Sequence, residues 1–140
     1  MKIALVTVGK TNTQELQESI RDYASRIARY SPFEFIETTD DKLEKRLDSF
    51  ERVYLLDEKG REYTSVELSQ FIEKQLNMGP KSIAFVVGGP FGFTQAVRDR
   101  ALGTIALSKM TFPHDLVRVI FLEQLYRAFT ILKNEKYHHE

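Results

Sequence analysis

Ile83-Ala84-Phe85-Val86-Val87 runs without interruption into Gly88-Gly89-Pro90-Phe91-Gly92-Phe93-Thr94. An unbroken apolar run of this length does not alternate, so it predicts a strand covered on both faces, as in a parallel sheet. The paired glycines at its carboxyl end let the backbone turn sharply and let a flat ligand approach without side-chain obstruction. The same residues serve equally well as a plain strand-to-helix turn with Thr94 as the helix cap, and both readings stay open here. The motif is neither the dinucleotide fingerprint nor a P-loop, and it offers no basic residue for a pyrophosphate.

Working outward, Ile3–Val8, Val53–Leu56 and Ile105–Leu107 repeat the buried-strand pattern, and Phe33 to Ile36 suits a strand nearer an edge. Between the strands the period becomes helical. Leu16, Ile20, Tyr23, Ile27 and Tyr30 follow candidate caps at Thr11 to Thr13, and Leu43, Leu47 and Phe50 mark a shorter helix. Thr64 and Glu67 form a capping-box pattern before Leu68, Phe71, Ile72 and Leu76, and Gly79-Pro80 ends that helix. Strand and helix alternate throughout with short connections, which predicts one α/β domain spanning residues 1–140, its mostly parallel sheet flanked by helices. The last helix, entered through Pro113, is apolar almost all the way round from Leu116 to Leu132, so one sheet face cannot bury it. A second subunit on its free face is the expectation.

Composition narrows the function. Twenty basic and twenty acidic side chains cancel over 140 residues, which excludes a polycationic nucleic-acid coat while leaving room for a local basic patch. The absence of cysteine excludes disulfide frameworks, thiolate zinc sites, iron–sulfur clusters and cysteine nucleophiles. No apolar run approaches the ~18 residues of a membrane helix. The short run after Met1-Lys2 leads to Gly9-Lys10 rather than to a signal cleavage site, so a cytoplasmic address is expected. Gly9-Lys10-Thr11 imitates the end of a P-loop, but the glycine required five positions earlier is Ala4, which lies inside the first strand.

A second loop, Leu107-Ser108-Lys109-Met110-Thr111-Phe112-Pro113-His114, leaves a short strand and enters the last helix. Its backbone groups can read an adenine edge while Leu107, Met110 and Phe112 supply an apolar wall; the same three residues also suit a core. Together with Gly88-Gly89-Pro90-x-Gly92, Val117-Arg118, Glu123 to Ala128 and the closing Tyr137-His138, this loop resembles the RlmH family of small SPOUT, or α/β-knot, methyltransferases. The resemblance covers essentially the whole chain. It implies a C-terminal trefoil knot, an exception to unknotted topology that periodicity alone does not reveal. It further implies a homodimer and S-adenosylmethionine as cofactor. The implied reaction methylates N3 of a pseudouridine in large-subunit ribosomal RNA, on the assembled ribosome. By matching motif, Leu56, Gly88, Leu107, Ser108, Lys109, Met110, Thr111 and Phe112 would contact the cofactor. The chain departs from the family where His139-Glu140 stands in place of a basic residue, and the segment from Thr39 to Arg52 is short.

The sulfonium methyl is already electrophilic, so alignment is the enzyme's main task. The N3 of a pseudouridine must lose its proton, which calls for a base or for a cation that stabilises the anionic ring. The histidines are His114, His138 and His139. His114 reads as a helix-start residue, and adjacent His138-His139 lacks the spacing of a metal site, so no metal is expected. The resemblance folds the tail over the active site, with Tyr137 stacking on a base, His138 contacting substrate as a candidate general base, and Arg127 beside them. Arg118 and Arg127 interrupt apolar surroundings and demand a carboxylate, carbonyls or phosphate; an internal ion pair, with Glu123 for instance, and an RNA contact both satisfy that demand. A related enzyme acting on transfer RNA and a non-catalytic ribosome-docking or nucleotide-sensing module are the alternatives.

Overall fold

In the computed structural model, which describes residues 1–139, ten elements alternate along the chain. They are β1 (Lys2–Val8), α1 (Gln14–Ile27), β2 (Phe33–Thr38), α2 (Asp40–Leu47), β3 (Arg52–Glu62), α3 (Ser65–Met78), β4 (Ser82–Val87), α4 (Gln95–Arg100), β5 (Gly103–Ala106) and α5 (His114–Leu132). The five strands form one sheet in the order β2-β1-β4-β3-β5. Every pairing among them is parallel, and β2 is an edge, as its alternating sequence suggested.

Strand periodicity divides the core into two layers. Ile3, Leu5, Tyr54, Leu56, Ile83, Phe85 and Val87 face α1, α3 and α5. Ala4, Val6, Val8, Val53, Leu55, Ala84 and Val86 face the smaller helices α2 and α4 through Leu43, Leu47 and Val97. Buried on both sides, β1 and β4 therefore read as continuous apolar runs. The capping box forms at the start of α3, where the Glu67 amide donates to Thr64 Oγ1 at 3.0 Å and the Thr64 amide to Glu67 Oε1 at 2.8 Å. Gly79 closes that helix at φ +68°.

Several boundaries differ from the sequence reading: α1 ends at Ile27 before Tyr30, α2 at Leu47 before Phe50, and β5 at Ala106 before Leu107. Thr13 sits at the start of α1 without a side-chain cap; Asp115, from the far end of the chain, accepts the amides of Asn12 and Thr13 at 2.8 and 3.0 Å. β3 does not stop at Leu56 but continues to Glu62 across a register shift, because Leu56 and Arg61 both pair with Ile105. Gly60 allows this return to the sheet: a Cβ there would lie 2.7 Å from the Thr104 carbonyl. The intervening residues bulge outward at the carboxyl edge of the sheet. α5 then crosses back over the sheet and packs on α1 and α3, with Phe121, Leu122, Leu125 and Ala128 fully buried. That return fits a threaded C-terminal segment.

Candidate functional site

The carboxyl ends of β3, β4 and β5 converge on a cavity of about 250 Å³. Its walls come from the β3 bulge (Leu56, Asp57, Glu58), the glycine turn (Gly88 to Pro90, Gly92, Phe93), the loop after β5 and the first turns of α5 (His114, Val117). Open α/β sheets place ligands at this edge. Leu56, Gly88, Leu107, Ser108, Met110, Thr111 and Phe112 all line the cavity. Lys109 does not: its side chain is 85% exposed and lies 3.7 Å from Glu62, so only its backbone belongs to the loop that forms the wall.

The glycines act through packing as much as through openness. A Cβ on Gly88 would meet the Phe93 ring at 3.0 Å, and one on Gly89 would meet Val8 Cγ1 at the same distance. Gly92 adopts φ +72° and its amide donates to the Gly89 carbonyl at 3.0 Å, which fixes the turn. The turn therefore presents backbone to the cavity because its outer side is filled by protein. Asp57 is held by the Lys59 amide at 3.0 Å and by Arg98 at 3.8 Å, and with Glu58 it gives the β3 side of the cavity a carboxylate edge. The Ser108 hydroxyl accepts the Met110 amide at 3.0 Å and shapes the facing loop.

One face of α5 stabilises this edge. Arg118 is 1% exposed. Its guanidinium donates to the carbonyls of Val8 and Gly9, both at 3.0 Å, to Thr11 Oγ1 at 2.7 Å and to Glu37 Oε2 at 3.2 Å. The internal ion pair is thus with Glu37. Burial lowers the Arg118 pKa and the charges of Glu37 and Asp115 oppose that shift. The P-loop look-alike is the strand end gripped here.

The three tail-associated candidates gather at the other end of α5. Arg127 pairs with Glu123 at 2.7 Å and reaches His138 Nδ1 at 3.0 Å. The Tyr137 hydroxyl donates to Glu123 Oε2 at 2.8 Å, its ring packs edge-on against Tyr126, and Arg127 lies over it at 4.9 Å. The hydrogen bond that Arg127 donates to Glu123 raises the Arg127 pKa, while burial and then Glu123 push Tyr137 well above the ordinary tyrosine value. A guanidinium only donates, so His138 Nδ1 accepts in this arrangement. Glu123 organises the cluster, and in the sequence its only signal was its spacing to Arg127.

From Val117 at the cavity to Arg127 in the cluster, the helix climbs about 15 Å. Cavity and tail cluster are therefore separate within one chain. Among the described residues no group of three or more His, Cys, Asp or Glu side chains gathers as a metal site, and no helix is long and apolar enough to cross a membrane.

A family profile described as "Predicted SPOUT methyltransferase" matches residues 1–138. The chain belongs to the SPOUT methyltransferase family. Among its relatives is a protein named ribosomal RNA large subunit methyltransferase H from Cytophaga hutchinsonii, 46% identical and aligned over 99% of this chain and all of the relative. A protein of the same name from Parabacteroides distasonis is 44% identical over the full length of both. SPOUT membership agrees with solved structures of low sequence identity, which speak to the fold alone. A probable methylase family protein from Haemophilus influenzae Rd KW20 superimposes with a TM-score of 0.60 at 13% identity, over 99% of this chain and 70% of that one. The SpoU methyltransferase AviRb of Streptomyces viridochromogenes, solved with AdoMet, gives 0.50 at 10% identity, over 89% of this chain and 56% of its own.

Proposed function

We propose that this SPOUT protein acts as a single domain that transfers the methyl group of S-adenosylmethionine to N3 of a pseudouridine in large-subunit ribosomal RNA, on the assembled ribosome. The observation that carries this reading is the cavity itself. In a full-length relative of large-subunit ribosomal RNA methyltransferases, the glycine turn and the 107–112 loop line one site whose walls combine apolar side chains, backbone and the acidic edge of Asp57 and Glu58. Such walls suit an adenine ring, and Asp57 suits hydroxyl groups. Leu56, Gly88, Leu107, Ser108, Met110, Thr111 and Phe112, with the backbone of Lys109, would hold the cofactor, which supplies an electrophilic methyl group.

The protein's own chemistry lies in the Glu123–Arg127–Tyr137–His138 cluster. Arg127 stabilises the pseudouridine ring as N3 loses its proton. As its N–H groups turn to that anion, His138 Nδ1 is released and becomes available to accept the proton. Tyr137 offers an aromatic face to the base. Because cluster and cavity lie about 15 Å apart on α5, the reading requires a second copy. Leu116, Ile120 and Ile131 share a partly exposed stripe of α5 that also carries Glu123, Gln124 and Arg127. Antiparallel pairing along that stripe brings the tail of one protomer towards the cavity of its partner. This supports a homodimer with composite sites, working in the cytoplasm where ribosomes are.

The test uses ribosomes from cells lacking this gene and methyl-labelled S-adenosylmethionine. Label on a pseudouridine in assembled ribosomes, and not in naked RNA, is the expected result. Transfer to transfer RNA instead would replace the substrate. Cofactor binding without any transfer would leave a sensor or docking module. His138→Ala retaining full turnover across pH would remove the proposed proton acceptor.

A further inference from the structure

The two phenylalanines of the glycine turn have opposite fates. Phe93 lines the cavity, packs on Gly88 and lies beneath Arg98 at 5.6 Å. Phe91 is 92% exposed, the most exposed large apolar side chain among the described residues. It is not displayed on a floppy segment. Pro90 restricts the backbone before it, and the Gly89–Gly92 bridge, closed by a 3.0 Å hydrogen bond, fixes the turn around it. Gly89, Pro90, Gly92 and Phe93 line the cavity while Phe91 alone of the turn does not, so its ring lies outside the lining although both its chain neighbours belong to it. On the opposing loop, Met110 lines the cavity yet is 74% exposed.

We infer that Phe91 is a stacking platform for a nucleobase of the RNA strand being methylated, with Met110 as the opposite apolar lip. This deepens the reading under Proposed function and rests on it for the identity of the substrate. The chain has no net charge, so attraction to phosphates alone gives it little hold on RNA. Stacking on an aromatic face supplies a hold that needs no charge and tolerates any base, because every base has a π face. A rigid turn adds to this by orienting the ring before the RNA arrives. A second copy of this chain is the poorer occupant. The partly exposed face suited to a partner lies along α5, whereas Phe91 stands between Pro90 and Gly92 and is 92% exposed. One flat ring is enough for a base and too little for a protein interface.

The chain contains no tryptophan, so Phe91→Trp introduces a lone fluorophore at that position. A short single-stranded RNA oligomer should quench that fluorescence, and should leave unquenched a Leu102→Trp variant, whose site is exposed but lies outside the cavity wall. On ribosomes, Phe91→Ala should raise the KM for the RNA substrate about 10- to 100-fold and leave S-adenosylmethionine affinity within about twofold. Phe91→Trp should restore transfer and Phe91→Leu should not, since stacking needs a ring and packing needs only volume. Equal quenching at both sites, no quenching at position 91, rescue by leucine, a parallel loss of cofactor affinity, or dissociation of a Phe91→Ala dimer would each overturn the inference. A wild-type protein that transfers nothing to ribosomes while position 91 is still quenched would instead overturn the assigned substrate and leave the stacking platform standing.

Discussion

Arg118 and Arg127 stand on the same helix and are held in opposite ways. Arg118 is buried and spends its donors largely on backbone carbonyls, so burial lowers its pKa and its surroundings are fixed by the fold. Arg127 is partly exposed and meets only side chains, Glu123 and His138, so a carboxylate raises its pKa and its partners can rotate away. The first arrangement suits an anchor and the second suits a group that exchanges partners with a substrate. Under the proposed function, α5 would have a structural end beside the cavity and a reactive end beneath the tail.

The largest effect that tests this contrast is on stability. Arg118→Met strands the Val8 and Gly9 carbonyls and leaves Glu37 only its bonds from Thr11, and should destabilise the fold by about 3 kcal/mol. Arg118→Lys should recover little, because an ammonium cannot span the same acceptors. Urea unfolding of both variants measures this, and a loss under 1 kcal/mol would mean that Arg118 does not anchor the loop. Arg127→Met should behave the other way round. Its ion pair is mostly buried, at 23% and 19% exposed, but Glu123 keeps the Tyr137 hydroxyl and the Gln124 amide as donors when Arg127 is gone. Stability should therefore fall by only about 1 kcal/mol, whereas methyl transfer should fall by about 100-fold or more. If both variants unfold alike, the distinction between the two ends of the helix fails.

A smaller effect lies at the cavity end, where Asp115 ties the start of α1 to α5. Burial tends to raise its pKa, but the Thr13 and Asn12 amides outweigh burial and hold it below the ordinary 3.8. Stability from this contact is therefore complete above pH 3.8 and is lost as pH falls through the lower folded value. Asp115→Ala should cost about 1 kcal/mol at neutral pH, as the loss of a helix cap does. It should also flatten the acid limb of a pH–stability curve. An unchanged acid limb would show that other carboxylates set it.

Much of this frame was legible in the chain. β1 and β4 are apolar without alternation because helices cover both faces, and that burial is written residue by residue. The Thr64–Glu67 box and Gly79 mark the ends of α3 for equally local reasons. The glycine turn and the 107–112 loop were legible as ligand-type loops at strand ends, though Lys109 pointed elsewhere. What stayed hidden depends on partners distant in sequence. Asp115 caps a helix more than a hundred residues away, and Arg118 meets Glu37 across the sheet. Gly60 looked like any loop glycine until β3 resumed its pairing against Thr104. The separation of cavity and tail cluster is likewise a property of helix length, and no motif spells it out.

The smallest expected effect concerns how the tail is kept against the reactive end. Tyr30, in the turn after α1, stacks on Phe129 at 5.3 Å and donates its hydroxyl to Glu135 Oε1 at 2.8 Å, so that turn holds the start of the tail. Burial and then the bond to Glu135 raise its pKa to about 12 from the ordinary 10.0. A raised tyrosine pKa means that the folded state keeps the proton longer than the unfolded chain does. The contribution is therefore complete below pH 10 and is lost as pH rises towards 12. Tyr30→Phe keeps the stacking and removes the bond, and should cost about 0.5 kcal/mol. Its clearer signature is in the tail: amide hydrogen exchange of residues 134–139 should quicken, while exchange around Val8, Gly9 and Arg118 should not change. Faster exchange at both ends would mean that α5 moves as one piece. The contrast between its anchored and its reactive end would then be one of chemistry and not of motion.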